Sequence, residues 1–451
     1  MRKFVGCRDD FSKIPPIEIY GRLIDVTRLV GTVAGITRDL SVDDQVCLRG
    51  RDGTEVSGEV IAIRDGLARV LAFGDMGHLA PGTRVCRTTH GGNLSVDRSW
   101  LGRVIDPLGN PLDQRGPLRA GPIGRPVYAP PPVATHRARL GDWIDLGVRA
   151  LDLFTPCRRG QRLGLFAGSG IGKSTLLAML TRHTACTVVV LALVGERGRE
   201  VREFLDDQLG PNGLARAVVV VATSDAAPPM RRRAAYAAMT IAEHFRDEGE
   251  SVLLLVDSIT RFCHALREIG LAAGEMPATR GYPPGVFAEL PRLLERAGPG
   301  LGHSAGQITA MFTVLVEGDD QNEPVADAAR GILDGHVVLD RRIAEAGRFP
   351  AVDVLRSLSR AAMGPESTAR RQLVGRARSL LALHADMADM VRLGAYRPGA
   401  DPAVDKALEL VPRIEALLCQ GSDAPSTTAE ALVALAEILE QSGIPGGPHG
   451  A

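Results

Sequence analysis

The sequence predicts an α/β protein in three parts: a small all-β domain, a parallel-sheet domain built around a phosphate-binding loop, and a helical C-terminal region. Three observations predict it. Between Arg162 and Val316, five short apolar runs alternate with helix-length amphipathic stretches, the pattern of a sheet buried on both faces. The first run leads directly into a Gly-rich segment that ends in Lys173-Ser174. Ahead of these runs, short alternating strands fall between turns; beyond Met363 the strand signal fades into helical periodicity.

The elements follow in order. Residues 1–17 form an amphipathic arm, with Phe4, Val5, Phe11 and Ile14 set among charges, ending at Pro15-Pro16. Residues 18–92 carry strand-like segments such as YGRLIDV, EVSGEVIAI and LARVLAF, broken by RGRDG and APG; strands of this length and spacing build a small β-barrel or a sandwich. Pro126–Pro132, PVYAPPP, is a Pro-rich connection inside the central domain, 93–365. The five runs of that domain are RLGLF (162–166), TVVVLAL (187–193), AVVVVA (217–222), SVLLLV (251–256) and ITAMFTVLV (308–316). In the last domain, 366–451, segments 367–393, 402–420 and 427–441 read as helices, with Tyr396-Arg397-Pro398-Gly399 as a break and IPGGPHGA as a disordered tail.

Bulk properties exclude several classes. A chain of 451 residues exceeds what one core organises. Hydrophobic residues at 45% and charged residues at 24% are ordinary for a globular protein. Lys plus Arg and Asp plus Glu both number 53, so the net charge is zero, which argues against a general nucleic-acid or membrane-surface binder. Seven scattered cysteines without a CxxC pair suggest neither a zinc site nor a disulfide framework, and fit reduced thiols in the cytoplasm. No apolar run reaches the ~18 residues of a membrane span, and MRKFVGCRDDF lacks the apolar core of a signal peptide.

Ala167-Gly168-Ser169-Gly170-Ile171-Gly172-Lys173-Ser174 follows the first buried strand and opens a helix, with Thr175 next. Apart from Ala167 in place of the first Gly, this is the GxxxxGK[ST] pattern. Small residues let backbone N–H groups approach phosphate oxygens, and the helix N-terminus adds partial positive charge. Lys173 is expected at the β- and γ-phosphates and the Ser174 hydroxyl on Mg²⁺. Lys173 is also one of only four lysines, with Lys3, Lys13 and Lys406. Asp257 ends the run SVLLLV, where a metal-side carboxylate sits in such folds; it could alternatively cap the helix starting near Ser258. Glu196, in Val194-Gly195-Glu196-Arg197-Gly198-Arg199-Glu200, stands at another strand end, placed to act as a general base on water. Glu/Arg runs are also common on solvated faces.

In this order the motifs resemble the family that includes the catalytic subunits of rotary ATP synthases, from about Tyr20 to the C-terminal helices. The resemblance implies a small β-barrel, a RecA-like P-loop nucleotide domain and a helical C-terminal domain, with ATP and Mg²⁺ bound between the subunits of a homohexameric ring. Within it, Gly195-Glu196-Arg197 matches the segment carrying the catalytic Glu, where non-catalytic subunits typically have Gln. Arg360, in Ser357-Leu358-Ser359-Arg360, matches the arginine finger that reaches a neighbour's site, typically worth ~10³–10⁵ in rate. Phe349, ahead of Pro350-Ala351-Val352-Asp353, matches the aromatic that stacks on adenine; a core Phe is the alternative.

Val314–Pro324 (VLVEGDDQNEP), Asp257–Phe262 (DSITRF) and Arg280–Phe287 (RGYPPGVF) are similar to the ATPases of type III protein export. The acidic lever of an ATP synthase β subunit, the lesser alternative, is absent. Gly270–Glu275 and Arg231–Tyr236 look flagellar rather than injectisome-like, whereas Asp142–Leu146, Gln321 and Arg356 depart from the usual export pattern. The resemblance implies several partners: a stalk-like coiled-coil protein facing the acidic loop Asp319–Glu323, a regulatory protein on the N-terminal arm, the export gate, and export substrates or chaperones. It also implies a peripheral position at the cytoplasmic face of the inner membrane. Glu196 and Arg360 argue against a binding module with little turnover. A ring helicase for RNA would need stacking aromatics in its barrel, and 18–92 holds only Tyr20 and Phe73; no nucleic-acid partner is expected.

Overall fold

The computed structural model describes residues 19–27, 29–88, 92–302, 306–316, 323–360 and 368–440. The N-terminal arm, residues 319–322 of the acidic loop and the tail therefore lie outside the described residues.

Two compact units emerge: one runs to Asn93 and takes in Ala226–Pro229 and Glu268–Glu275, and the other holds the remainder. In the first unit, six strands close into a barrel: β1 (Tyr20–Val26), β2 (Val30–Ala34), β3 (Gln45–Arg49), β4 (Glu55–Arg64), β5 (Leu67–Ala72) and β6 (Arg84–Arg87), in the order β1-β2-β5-β4-β3-β6. The period of two puts Leu23, Val33, Val46, Leu48, Val70 and Val85 inside. Irregular register in β1 at Leu23/Asp25 and in β4 at Val60/Ala62 gives the sheet the bends that closure needs. Of barrel and sandwich, the two architectures open to the sequence, the chain adopts the barrel.

The second unit is built on a nine-stranded sheet. Its strands are β7 (Arg103–Ile105), β8 (Arg162–Ala167), β9 (Val188–Val194), β10 (Ala217–Ala222), β11 (Ser251–Asp257), β12 (Gln307–Leu315), β13 (Gly335–Leu339) and β14 (Val352–Ser359), in the order β14-β13-β8-β12-β11-β9-β10-β7, with Gly298–Pro299 paired on β12. The pairings along that path are parallel except β13–β14, which is antiparallel. β8 to β12 are the five apolar runs, and β9 and β10 are buried along their whole length. β7 and β14 lie outside those runs. β7 has three residues, and β14 is an edge strand whose polar and apolar residues alternate. Register aligns Ala167 with Leu315 and Leu193 with Asp257, so the C-terminal ends of β8, β12, β11 and β9 form one crest.

Helices that fall wholly or in part in this unit include α1 (Arg149–Phe154), α2 (Lys173–His183), α3 (Gly198–Glu203), α4 (Ile259–Ala273), α5 (Arg341–Glu345), α6 (Thr368–Arg392), α7 (Pro402–Leu418) and α8 (Thr428–Glu440). α7 opens with Pro402 in its first turn, where the missing N–H is harmless, and Asp401 accepts from Ala403 N at 2.8 Å. Leu381, Leu410, Ile414, Leu418, Leu435 and Leu439 of the C-terminal helices join Leu165, Leu191 and Val219 of the sheet in one buried cluster. Burying a Leu stabilises by about 1.5–3 kcal/mol, so these helices are part of the second unit's core.

Candidate active site

β8 ends at Ala167, and the next five residues turn into α2. Gly170 and Gly172 have φ of +77° and +88°, the left-handed region that glycine enters without steric cost. No side chain caps the first turn of α2, so its N–H groups point to where phosphate oxygens would bind. The loop forms one wall of a cavity of about 810 Å³, large enough for a nucleotide.

Beneath the loop lies a small ionic cluster. Lys173, its side chain 11% exposed, donates from Nζ to Asp257 Oδ1 at 2.6 Å and to Glu196 Oε1 at 3.1 Å. Asp257 Oδ1 also accepts the Thr313 hydroxyl from β12 at 2.6 Å. Burial lowers the pKa of Lys173, but the two carboxylates outweigh it and hold the ammonium above its ordinary range. Burial raises the pKa of Glu196, the Asp257 charge adds to the rise, and Lys173 opposes it without reversing it. The helix-capping alternative for Asp257 falls to its neighbour: Ser258 Oγ accepts from Arg261 N at 3.3 Å at the start of α4.

The residues singled out from the sequence distribute as follows. Ala167, Gly168, Ser169, Gly170, Gly172, Lys173, Ser174, Thr175, Glu196 and Arg197 line the cavity. Ile171 turns its side chain into the core, leaving only its backbone for a ligand. Asp257 is buried under the loop and meets it through Lys173. Phe349 is 44% exposed, and a Cβ on Gly172 would come within 3.4 Å of its ring, which sets it beside the phosphate loop. Arg360 is not among the cavity's lining residues; it is exposed, and Nη2 reaches Arg330 O at 3.4 Å.

Three further residues join the site. Arg261 of α4 and Arg341 of α5 line the cavity, and Arg341 donates to Ser169 O at 3.1 Å. Thr313 orients Asp257. Arg341 follows the end of β13, a position from which it could have been suspected. Thr313 sits inside an apolar run that also holds Thr309, so nothing local marks it out.

A Gly-rich loop between strand and helix, at the C-terminal crest of a parallel sheet and over a Lys–Asp–Glu cluster, defines a P-loop nucleoside triphosphate hydrolase. The particular family follows from comparison with known proteins. Residues 16–89 match the β-barrel domain of the ATP synthase alpha/beta family, 147–359 its nucleotide-binding domain, and 367–437 the T3SS EscN ATPase C-terminal domain. The flagellum-specific ATP synthase of Caulobacter vibrioides is 48% identical over 95% of this chain and 98% of its own. The type 3 secretion system ATPase of Xanthomonas euvesicatoria is 44% identical over 94% and 95%. Assembled EscN from the enteropathogenic E. coli type III secretion system superposes with a TM-score of 0.85 at 37% identity, covering 93% of this chain and 100% of that one. The chain belongs to the ATP synthase alpha/beta family, in the group of flagellum-specific and type III secretion ATPases, and is an ATP-hydrolysing enzyme.

Proposed function

We propose that this chain hydrolyses ATP with Mg²⁺ in a ring of identical copies, and that the ring energises type III protein export for flagellum assembly. The observation that carries the chemistry is Lys173 bridging Glu196 and Asp257 under an open phosphate loop. An arriving triphosphate offers Lys173 a stronger anionic partner, so the ammonium turns to the β- and γ-oxygens and releases both carboxylates. Glu196 then holds the attacking water and takes its proton; a pKa above the ordinary carboxylate range makes it a better acceptor.

The residues fit a Mg²⁺ ion. Among the described residues no group of three or more His, Cys, Asp or Glu side chains could hold a metal. Mg²⁺ needs no such cage, since it usually keeps waters and binds through one or two protein oxygens plus substrate phosphates. Ser174 Oγ and Asp257 are such oxygens, and both bonds that Asp257 accepts from Lys173 and Thr313 fall on Oδ1. When bound, the ion would neutralise charge on the β- and γ-phosphates.

Arg360, exposed and apart from its own cavity, is suited to serve the cavity of a neighbouring copy. The relatives support this reading: EscN is described as assembled, and also in complex with its central stalk EscO at a TM-score of 0.84. A homohexamer with a stalk-like coiled-coil partner is accordingly proposed here. A regulatory protein on the N-terminal arm, the export gate and export substrates or chaperones complete the proposed partners. No helix among the described residues is long and apolar enough to cross a membrane, so attachment at the cytoplasmic face of the inner membrane would be peripheral.

Export through a virulence injectisome is the second reading, favoured by the match of 367–437 to the EscN C-terminal domain. Deleting the gene and complementing with wild type or Glu196→Gln separates the two. Loss of swimming and of secreted filament protein, restored by wild type alone, is the expected outcome. Motility that survives deletion would move the assignment to the injectisome.

A further inference from the structure

Phe349 is supported from an unexpected direction. A ring that is 44% exposed gains little orientation from packing, so its direction is set by the backbone that carries it. Two tethers hold that backbone, and both come from the C-terminal helical region. Gln420, just past α7, donates its backbone N–H to Phe349 O at 2.8 Å. Beside it, Arg348 Nε pairs with Glu415 Oε2 of α7 at 2.5 Å.

The Gln420 side chain is a junction in its own right. It is 4% exposed. Its Oε1 accepts from Arg149 N at 2.9 Å, and its Nε2 donates to Gly147 O at 2.9 Å and to Ala424 O at 2.7 Å. The same segment grips the helix that the phosphate loop opens. At the last turn of α2, Arg182 and His183 both bond to Ser422 O, at 3.0 and 2.8 Å, and Arg182 also meets Asp423 Oδ1 at 2.5 Å. The other end of α2 carries Lys173 and Ser174. Segment 419–424 therefore stands between the far end of the phosphate-loop helix and the backbone of the exposed aromatic.

We infer that Gln420 is a positioning residue for the nucleotide base: by fixing segment 419–424 between α2 and Phe349, it sets the spacing from phosphate loop to aromatic wall, and with it the preference for a purine. The inference rests on the reading of Phe349 as the base-stacking ring. The chemistry suits an amide. One neutral planar group supplies an acceptor and two donors at a buried site, whereas a carboxylate would bring a charge without donors and an aliphatic chain would leave three backbone groups unpaired.

The test compares dissociation constants of ADP, CDP and inorganic pyrophosphate, with Mg²⁺, for the full-length protein by calorimetry. Base–aromatic stacking is sizeable, so Gln420→Met and Phe349→Leu should each lower the ADP-over-CDP preference, by about fivefold or more, and leave pyrophosphate affinity unchanged. The double variant should lose no more preference than Phe349→Leu alone, because both changes act through one ring. Glu415→Gln, on the half-exposed side of the tether, carries the comparison if Gln420→Met does not fold. A wild-type preference in Gln420→Met and Glu415→Gln, with a lowered one in Phe349→Leu, would overturn the inference and leave the stacking reading intact. An unchanged preference in Phe349→Leu would remove the stacking reading itself. Equal weakening of all three ligands would make Gln420 structural only.

Discussion

The floor of the nucleotide cavity and its rim are built on different principles. On the floor, Lys173, Glu196, Asp257 and Thr313 neutralise and orient one another within a single chain, over 2.6–3.1 Å. Phe349 and Arg341 on the rim, and Arg360 apart from it, are exposed, held by backbone tethers or single hydrogen bonds. Charges removed from water must be paired before a ligand arrives, because an unpaired buried charge costs several kcal/mol. Exposed groups carry no such penalty and can wait for a ligand or for another copy of the chain. The floor is therefore paired within one chain, whereas the proposed shared site would leave Arg360 to act in a neighbouring copy.

The largest expected effect breaks the proposed shared site. Arg360→Ala should lower turnover by ~10³–10⁵-fold while nucleotide binding stays near wild type. Mixing it with Glu196→Gln protein should recover activity, since a mixed ring can pair an intact finger with an intact base. Lost nucleotide binding, or no recovery on mixing, would return Arg360 to a role within its own chain.

On the floor, Glu196→Gln should lower turnover by ~10²–10⁴-fold with ATP still bound. Because burial raises the pKa of Glu196, its carboxylate form is lost at a higher pH than for an exposed Glu. The acid limb of the kcat/KM profile should then lie above the ordinary carboxylate range and vanish in this variant. A limb at ordinary carboxylate pH would assign it to another group.

The smallest effect sharpens the account of the floor. Thr313→Val keeps the shape and removes one hydrogen bond to a charged oxygen, worth about 1.5–3 kcal/mol. Turnover should fall by roughly tenfold, with a modest loss of thermal stability. Unchanged turnover would mean that Lys173 alone orients Asp257.

Much of this was legible in advance where the chemistry is contiguous. Residues 167–174 carry a complete phosphate loop in eight consecutive positions, and Asp257 marks itself by ending a buried strand in a carboxylate. The five apolar runs became β8 to β12 because strands covered on both faces need no polar alternation. Legibility fails where the pattern weakens or the contact is distant. β7 is too short to show a period, and β14 alternates like an exposed edge. Ile171 looks like one more loop residue until its side chain is found in the core.

By itself, then, the sequence determined the five central strands, the phosphate-loop motif, and which carboxylates could serve it, since each of these rests on local periodicity or adjacent residues. Only the tertiary structure decided that the barrel closes, that Lys173 meets partners 23 and 84 positions away, and that Gln420 holds Phe349. The physical reason is the strand order β13-β8-β12-β11-β9: hydrophobic period tells a strand which face to bury, but not which neighbour to lie beside.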